Sequence, residues 1–435
     1  MACQRFEFLC KFWDESFNFV EIKMHQMTFL YWIGIKLFYL LAVVFSLFLR
    51  KARLFVLGRR GLYKLLRAKI QPGDRVFWFH CASLGEFEQG RPLIEEIKSR
   101  FPDVKILLTF FSPSGFEVRK DYKYADVVSY MPVDSPVDAA RFLEIVNPEK
   151  AFFIKYEYWY FFLRALKRKS IPVYLVSAIF RKDQVFFKPY GRWFRSMLYD
   201  FEHIFVQNAA SKKLLARYGI TAVTVSGDTR FDRVKQIAQD AEQLEQIETF
   251  RDSHFLVVAG STWPQDEALL IRYFQQAGPE MKWIIAPHEV DKTRIEGLVK
   301  KFPADQVIRY SRLDKSNLTH ISVIIVDSIG LLAALYQYAK VAYVGGGFGK
   351  GIHNILEPAT FGIPVIFGPG YGKFMEAVDL KEQGGAFAIN GYGSFQRLMD
   401  DLIENQEKVE NAGTICKQYV ERNAGATTKI LSHIF

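Results

Sequence analysis

The chain has 435 residues, which is too long for one ordinary core and indicates two domains of ordinary size. Hydrophobic residues make up 50% and charged residues 24%, which excludes a mostly disordered chain. A net charge of +10 indicates attraction to anionic lipid or to an anionic substrate, and no helix-turn-helix, zinc-finger or RNA-recognition pattern supports a nucleic-acid partner.

The first predicted element is an apolar segment from Phe29 to Leu49 that contains one charge, Lys36. As a helix it would extend roughly 30 Å, about one hydrocarbon core, and no small-residue cleavage site follows it. The next twenty residues are rich in Lys and Arg, so the positive-inside rule places the rest of the chain in the cytoplasm. We therefore predict an anchor in the inner (plasma) membrane, with the domains that follow it on the cytoplasmic side.

Lys36 leaves the mode of attachment open. The helix either spans the bilayer or lies in its interface with the lysine reaching the headgroups, and a buried helix of a soluble protein is the third alternative. We assign residues 27–54 to the anchor helix and residues 1–26 to an N-terminal appendage, for which Met27 would be a natural start.

Downstream, short β-rich runs alternate with amphipathic stretches, which is typical of parallel sheets covered by helices. Residues 55–227 are predicted as one Rossmann-like domain, 228–254 as a linker with a helix, and 255–435 as a second Rossmann-like domain that ends in helices. The predicted strands are 76–80, 104–109, 127–130, 152–154, 173–176, 204–206, 223–225, 255–259, 283–286, 307–310, 323–326, 341–344, 365–367 and 386–389. Two such domains imply a cleft, with a donor and an acceptor at opposing strand ends.

Glu86 follows the first strand of this pattern, in the segment His80-Cys81-Ala82-Ser83-Leu84-Gly85-Glu86. A carboxylate at a strand's carboxyl end is placed to accept a proton from an attacking hydroxyl. The alternative is a carboxylate that only complements the dipole of the helix it enters. The residues alone leave both interpretations open.

A glycine-rich loop, residues 345–351, follows the predicted strand 341–344 and leads to a helix near Asn354. Loop amides and a helix N-terminus form an anion site suited to phosphate, and Glu357 is placed to bind ribose hydroxyls. The spacing matches neither a P-loop nor a dinucleotide fingerprint. A purely structural glycine turn is the alternative.

Three further turns carry weaker signals. Ser112 and Ser114 follow the second strand and are expected to cap a helix, with phosphate binding as the alternative. His288 ends another strand, where a donor phosphate or base would lie, although a lone His is more often structural. Residues 327–331 form a strand-to-helix turn of donor-binding or capping type. The sequence contains no zinc spacing, no paired carboxylates suited to a metal and no CxxC motif, so no metal site is predicted.

From about residue 30 to 389 the chain resembles the 3-deoxy-D-manno-octulosonic acid (Kdo) transferases of lipopolysaccharide biosynthesis. The likeness rests on motifs in the same order: Ser83-Leu84-Gly85-Glu86, Ser112-Pro113-Ser114-Gly115, Tyr130-Met131-Pro132-Val133-Asp134, Ser226-Gly227-Asp228, Ala259-Gly260-Ser261-Thr262, and His353-Asn354-Ile355-Leu356-Glu357-Pro358 through to Gly368-Pro369.

The resemblance implies a GT-B fold of two Rossmann-like domains facing across a cleft. It implies inverting transfer of Kdo from CMP-Kdo to a lipid A precursor, with no cofactor beyond the donor substrate, and it places the catalytic carboxylate on Glu86. The implied CMP-binding positions are Pro287, His288, Ile329, Gly330, Leu331, Asn354, Ile355, Leu356 and Glu357.

The sequence departs from the family pattern at three places. Lys155 replaces the first acid of a Glu-x-Glu-x-Trp-Pro segment, His288 replaces an arginine, and Leu331 replaces an acid. A phosphate contact from an imidazole would be weaker than one from a guanidinium and sensitive to pH. Two other functions stay open: a GT-B transferase that uses a different nucleotide sugar, and a non-catalytic glycolipid-binding membrane protein.

Overall fold

The computed structural model describes residues 2–277, 281–314, 318 and 320–435, with side chains from Met24 onward. The chain divides into two compact units. Unit 1 comprises Met1–Thr229 together with Gly425–Phe435, and unit 2 comprises Arg230–Ala424. Each unit is built around one seven-stranded parallel sheet.

In unit 1 the strands lie in the order β3-β2-β1-β4-β5-β6-β7. They are β1 (Val76–Cys81), β2 (Lys105–Phe110), β3 (Val127–Tyr130), β4 (Lys150–Ile154), β5 (Val173–Ala178), β6 (His203–Val206) and β7 (Val223–Val225). The helices are α1 (Ala2–Phe45), α2 (Arg50–Leu57), α3 (Leu62–Lys69), α4 (Leu84–Arg100), α5 (Pro113–Arg119), α6 (Pro136–Val146), α7 (Tyr160–Arg168), α8 (Arg192–Ser196) and α9 (Ala209–Ala216).

Unit 2 begins with α10 (Arg230–Gln239) and α11 (Glu245–Arg251). Its strands are β8 (Phe255–Thr262), β9 (Met281–Pro287), β10 (Val307–Arg309), β11 (Val323–Ile325), β12 (Val341–Val344), β13 (Val365–Phe367) and β14 (Ala386–Ala388), in the order β10-β11-β9-β8-β12-β13-β14. Its other helices are α12 (Pro264–Phe274), α13 (Lys292–Val299), α14 (Leu332–Leu335), α15 (Leu356–Thr360), α16 (Met375–Gln383), α17 (Tyr392–Glu404) and α18 (Gln406–Asn423).

Every predicted strand coincides with an observed strand, within two or three residues at each end. The reason is burial on both faces, which gives parallel strands unbroken apolar runs. All six residues of β1 are buried, for example. The α/β class and the two Rossmann-like units are confirmed.

The domain boundaries differ from the sequence-based scheme. Residues 230–254, assigned there to a linker, contain two helices that belong to unit 2. The last helix, α19 (Ala426–Ile434), belongs to unit 1 although it was assigned to the second domain. Its apolar face explains this return, since Ile430 and Leu431 are buried in the core that also contains Phe77. The ring of Phe435 stacks on Phe77 at 5.8 Å.

The predicted anchor helix 27–54 is also divided differently. Helix α1 runs without a break from Ala2 to Phe45, across the boundary drawn at residue 26, and α2 begins only at Arg50. Within α1, Met24–Phe45 is long and apolar enough to cross a membrane by length and composition. Most of its large apolar side chains after Ile33 are exposed, and exposed apolar residues continue to Leu49.

One face of α1 is hydrogen-bonded to the rest of unit 1. Tyr31 donates a hydrogen bond from its hydroxyl to Asp134 Oδ2 at 2.6 Å. Thr28 Oγ1 lies 3.1 Å from the Tyr160 hydroxyl and accepts from Trp193 Nε1 at 3.0 Å. The turns of α1 around Thr28 and Tyr31 are therefore part of the domain, while the later turns present an apolar surface.

Asp134, which accepts the hydrogen bond from Tyr31 of α1, is a buried carboxylate with a shifted pKa. Its carboxylate is fully buried and accepts from Tyr31 and from the amides of Phe161 and Phe162. Burial raises its pKa to about 6, although these hydrogen bonds oppose the shift.

We expect the free energy of unfolding to fall as pH rises from about 4 to about 7. In that window the folded state retains a proton that the unfolded state, with a pKa near 3.9, has released. The expected loss is about 2 to 3 kcal/mol. Asp134→Asn should flatten this dependence in denaturant titrations at several pH values, and an unchanged slope would assign the dependence to other groups.

Candidate functional site

In each sheet the strand order reverses direction at one point, and ligands of open α/β sheets bind there, at the carboxyl ends of the strands. In unit 1 the reversal lies between β1 and β4, and in unit 2 between β8 and β12. The two strongest sequence motifs lie at these points. The Glu86 segment follows β1, and the glycine-rich loop follows β12.

Glu86 occupies the first turn of α4, with Ser83 as N-cap. Its side chain is half-buried, and the Ser83 hydroxyl donates a hydrogen bond to Glu86 Oε2. Gly115 packs against this turn, because a Cβ added there would lie 3.1 Å from the carbonyl carbon of Ser83. The position suits a base that meets substrate and also suits a carboxylate that complements the helix dipole. The role of Glu86 stays a prediction.

A buried network of polar side chains connects β1 with its two neighbouring strands. His80, the last but one residue of β1, contacts Thr109 Oγ1 through Nδ1 at 2.9 Å and Glu157 Oε2 through Nε2 at 2.9 Å. Trp159 Nε1 donates to Glu157 Oε2 at 2.6 Å. Glu157 and Trp159 are the two family positions retained in the segment after β4, and here they fix β4 to β1.

Lys155, the residue that replaces a family acid, has a φ of 69° immediately after β4. A non-glycine residue in this region is strained, and such strain is concentrated at functional sites. The neighbouring Tyr156 has a raised pKa, chiefly through burial, with Arg181 lowering it and Glu86 and Asp228 raising it further. Charged side chains from three other segments, those of Arg181, Glu86 and Asp228, therefore act on Tyr156.

Asp228, from the family segment Ser226-Gly227-Asp228, is buried and accepts from Gln89 Nε2 at 3.1 Å. Gln89 lies one turn after Glu86 on α4, so this contact ties the helix of the candidate base to the end of β7.

Ser112 is the N-cap of α5 and accepts from the amide of Ser114 at 3.2 Å. The capping role predicted for Ser112 is confirmed.

In unit 2 a buried carboxylate organises the glycine-rich loop. Asp266 accepts from the Tyr343 hydroxyl at 2.7 Å, from the amide of Gly346 at 3.0 Å and from the amide of Trp263 at 2.9 Å. It therefore joins β12, the loop and the turn after β8. A Cβ added at Gly345 would lie 2.4 Å from the carbonyl oxygen of Ser261, so only glycine fits there.

Two histidines and a tryptophan stack at this edge. The His288 ring lies 4.7 Å from Trp263 and 4.4 Å from His353. Trp263 Nε1 donates to His353 Nε2 at 3.1 Å. Burial and the neighbouring His288 lower the pKa of His353, with Asp266 opposing them. His288 itself is exposed at the end of β9, next to the buried Pro287.

The predicted phosphate-binding helix is shorter than expected. Helix α15 begins at Leu356 and has five residues, and Asn354 precedes it. Asn354 accepts from the Leu356 amide at 3.2 Å and donates to Glu357 Oε1 at 3.1 Å, while Ile355 is buried beside them. Because the helix is so short, the loop amides and side chains must provide most of any anion contact.

The turn after β11 carries the remaining predicted positions. Ile329 is 90% exposed, Gly330 has a φ of 98°, and Leu331 begins the approach to α14. Asp327 accepts from the amide and hydroxyl of Ser311, at 2.9 and 2.5 Å, and so does not cap α14. The donor-binding role expected for residues 329–331 stays a prediction.

Comparisons with known proteins identify relatives of this chain. The family profile described as 3-deoxy-D-manno-octulosonic-acid transferase (kdotransferase) matches residues 56–233. A 3-deoxy-D-manno-octulosonic acid transferase of Haemophilus influenzae is 27% identical over 395 residues, covering 86% of this chain and 89% of that protein. That of Aquifex aeolicus is 27% identical over 339 residues, covering 77% of this chain and 87% of that protein.

Over most of its length the chain is similar to the Kdo transferases. It is a glycosyltransferase, and its fold is of GT-B type. Among solved structures, a UDP-N-acetylglucosamine 2-epimerase of Neisseria meningitidis superposes with a TM-score of 0.58 at 16% identity, covering 83% of this chain and 99% of that one. A putative UDP-N-acetylglucosamine 2-epimerase of Listeria monocytogenes gives 0.56 at 13% identity, covering 83% and 96%.

Sequence reasoning missed two features of the candidate site. Asp266 was not singled out, although it follows Trp263 at the three-residue spacing of a helix-capping carboxylate. The contact of His80 with Glu157 joins residues 77 positions apart and left no local signal. No group of three or more His, Cys, Asp or Glu residues placed to hold a metal was found in the part of the chain that the structure describes.

Proposed function

We propose that this enzyme transfers Kdo from CMP-Kdo to a lipid A precursor in lipopolysaccharide biosynthesis. One observation carries the proposal. The candidate base Glu86 and the glycine-rich loop, residues 345–351, occupy the switch points of two separate Rossmann-like sheets in a chain that is similar to this family. One substrate at each switch point suits a donor and an acceptor.

In the proposed reaction Glu86 removes the proton from a sugar hydroxyl of the acceptor. The oxygen forms a bond to the anomeric carbon of Kdo as the bond to CMP breaks, which inverts that carbon. CMP leaves with its phosphate, and the amides of residues 345–351 with Asn354 stabilise the developing charge. His288 and Lys350 supply further donors, and Glu357 binds the ribose.

The proposed acceptor is a lipid, and attachment of α1 to the membrane would bring the enzyme to it. We propose that α1 lies in the membrane interface of the cytoplasmic leaflet and does not span the bilayer. Thr28 and Tyr31 fix its early turns to unit 1. The exposed helix that remains, residues 33–45, is about 20 Å long at 1.5 Å per residue, short of a hydrocarbon core of about 30 Å.

The proposal is tested by measuring CMP release from CMP-Kdo in the presence of a lipid A precursor, with the product mass counting the sugars added. We expect CMP release that depends on the acceptor and a product heavier by one or more Kdo units. Parallel reactions with UDP-sugars test the alternative donor. Faster turnover of a UDP-sugar would overturn the donor assignment, and lipid binding without CMP release would overturn the activity.

A further inference from the structure

Two adjoining cavities lie in unit 1, with volumes of about 280 and 400 Å³, and the first of them lies beside α1. Both are lined by Arg59, Leu62 and Tyr63. The first also contacts Lys36 on α1, and the second contacts Arg141 on α6. Neither cavity lies at the sheet switch points described above.

Arg59 is the central residue of this pair of cavities. Its guanidinium donates to the carbonyl oxygens of Met131, Phe55 and Phe111 at 2.8 to 2.9 Å. It also stacks on the ring of Phe55 at 3.7 Å. Of its five N–H groups, two find no acceptor among the described residues, and no described carboxylate pairs with it. Burial lowers the pKa of Arg59 to about 10.

The charge of the lining is strongly positive. The cations are Lys36, Arg59, Lys64, Arg67 and Arg141. Among the lining residues that the structure describes, the one carboxylate is that of Asp138. Its two oxygens accept hydrogen bonds from the hydroxyls of Tyr63 at 2.8 Å and Ser135 at 2.6 Å. A half-buried guanidinium with free N–H groups among other cations is complementary to a phosphate.

The apolar surroundings indicate where that phosphate comes from. Lys36 lies in the exposed apolar part of α1, between Ile33 and Leu37. On the same helix, Phe38 packs at 5.6 Å against Phe55, the residue on which Arg59 stacks. The first cavity therefore opens beside the surface that would contact acyl chains, and the second adjoins it through Arg59, Leu62 and Tyr63.

We propose that these two cavities bind the phosphate headgroup of an anionic membrane lipid and so fix the depth and rotation of the enzyme on the bilayer. The inference rests on the proposed attachment of α1 to the membrane and is independent of the transfer chemistry. It assigns to Lys36 a specific ligand, whereas a general basic surface would use any exposed lysine equally.

The test measures flotation of the full-length protein with vesicles of phosphatidylcholine alone and with added phosphatidylglycerol. Lys36→Gln and Arg141→Gln should each reduce the preference for phosphatidylglycerol about fivefold more than the control does, because each removes a charge-assisted hydrogen bond to the phosphate. The control is Lys51→Gln, which also removes one charge but lies on α2 outside both cavities. An equal loss in all three variants would overturn the site.

Two soluble probes separate the sources of phosphate. Short-chain phosphatidylglycerol, below its micelle concentration, should bind to the unchanged protein and bind weakly to Lys36→Gln. Inorganic phosphate that competes equally well would overturn the lipid assignment. If the protein bound no vesicles at all, the membrane attachment would be contradicted, and the short-chain lipid would still decide whether the cavities bind a headgroup.

Discussion

Glu86→Gln should lower turnover of CMP-Kdo about 100- to 10,000-fold, the usual contribution of a positioned general base. Glutamine has the same shape and retains an oxygen that can accept from the Ser83 hydroxyl, so the turn after β1 should persist. It cannot accept the proton of the attacking hydroxyl. Binding of CMP should change little, because the glycine loop belongs to the other unit.

Glu88→Gln is the matched control for this experiment. It makes the same chemical change two residues further along α4, where the carboxylate accepts from Arg119 at 2.8 Å. We expect near-normal turnover from this variant. Single-turnover rates and CMP binding should be measured for both. If Glu86→Gln also turned over at a near-normal rate, Glu86 would only complement the helix dipole, and another group would have to take the proton.

The sheets could be predicted from the sequence because parallel strands are buried on both faces. The run Val-Phe-Trp-Phe-His-Cys of β1 shows no alternation of polar and apolar residues, and all its residues are buried. The same logic predicted that two Rossmann-like units follow one another. It could not predict strand order, which depends on how the helices pack.

The predicted domain boundaries differ from the observed ones because these depend on packing between residues far apart in the sequence. The helix Ala426–Ile434 follows directly on helices of unit 2, so sequence order assigned it to that unit. Its place in unit 1 depends on contacts with Phe77, about 350 positions earlier, and with His203, whose ring lies 3.9 Å from that of His433. A local pattern contains no information about such a partner.

The same distinction separates the site residues that were found from those that were missed. Glu86 and the glycine-rich loop stand out locally, because a carboxylate or a cluster of glycines directly follows an apolar strand. Asp266 and His80 act through residues that are distant in sequence. The apolar segment of α1 was equally clear, but only the Tyr31–Asp134 hydrogen bond indicates that its early turns belong to a domain.

The second large effect is expected at Gly347, in the loop after β12. A Cβ added there would lie 2.6 Å from the Cα and amide nitrogen of Gly368, which are backbone atoms that cannot rotate away. Gly347→Ala must therefore separate this loop from the segment that follows β13. We expect binding of CMP to weaken tenfold or more and stability to fall by about 1 to 3 kcal/mol, the usual effect of overpacking.

Gly349→Ala provides the control within the same loop. The nearest atom to a Cβ at Gly349 is the carbonyl oxygen of Gly346, at 3.7 Å, which is an ordinary contact. This variant should bind CMP nearly as well as the unchanged protein. Calorimetric titration with CMP and thermal unfolding, applied to both variants, separate the local effect from general damage. If Gly347→Ala lost stability but bound CMP normally, the loop would be a structural turn and the donor phosphate would have to bind elsewhere in the enzyme.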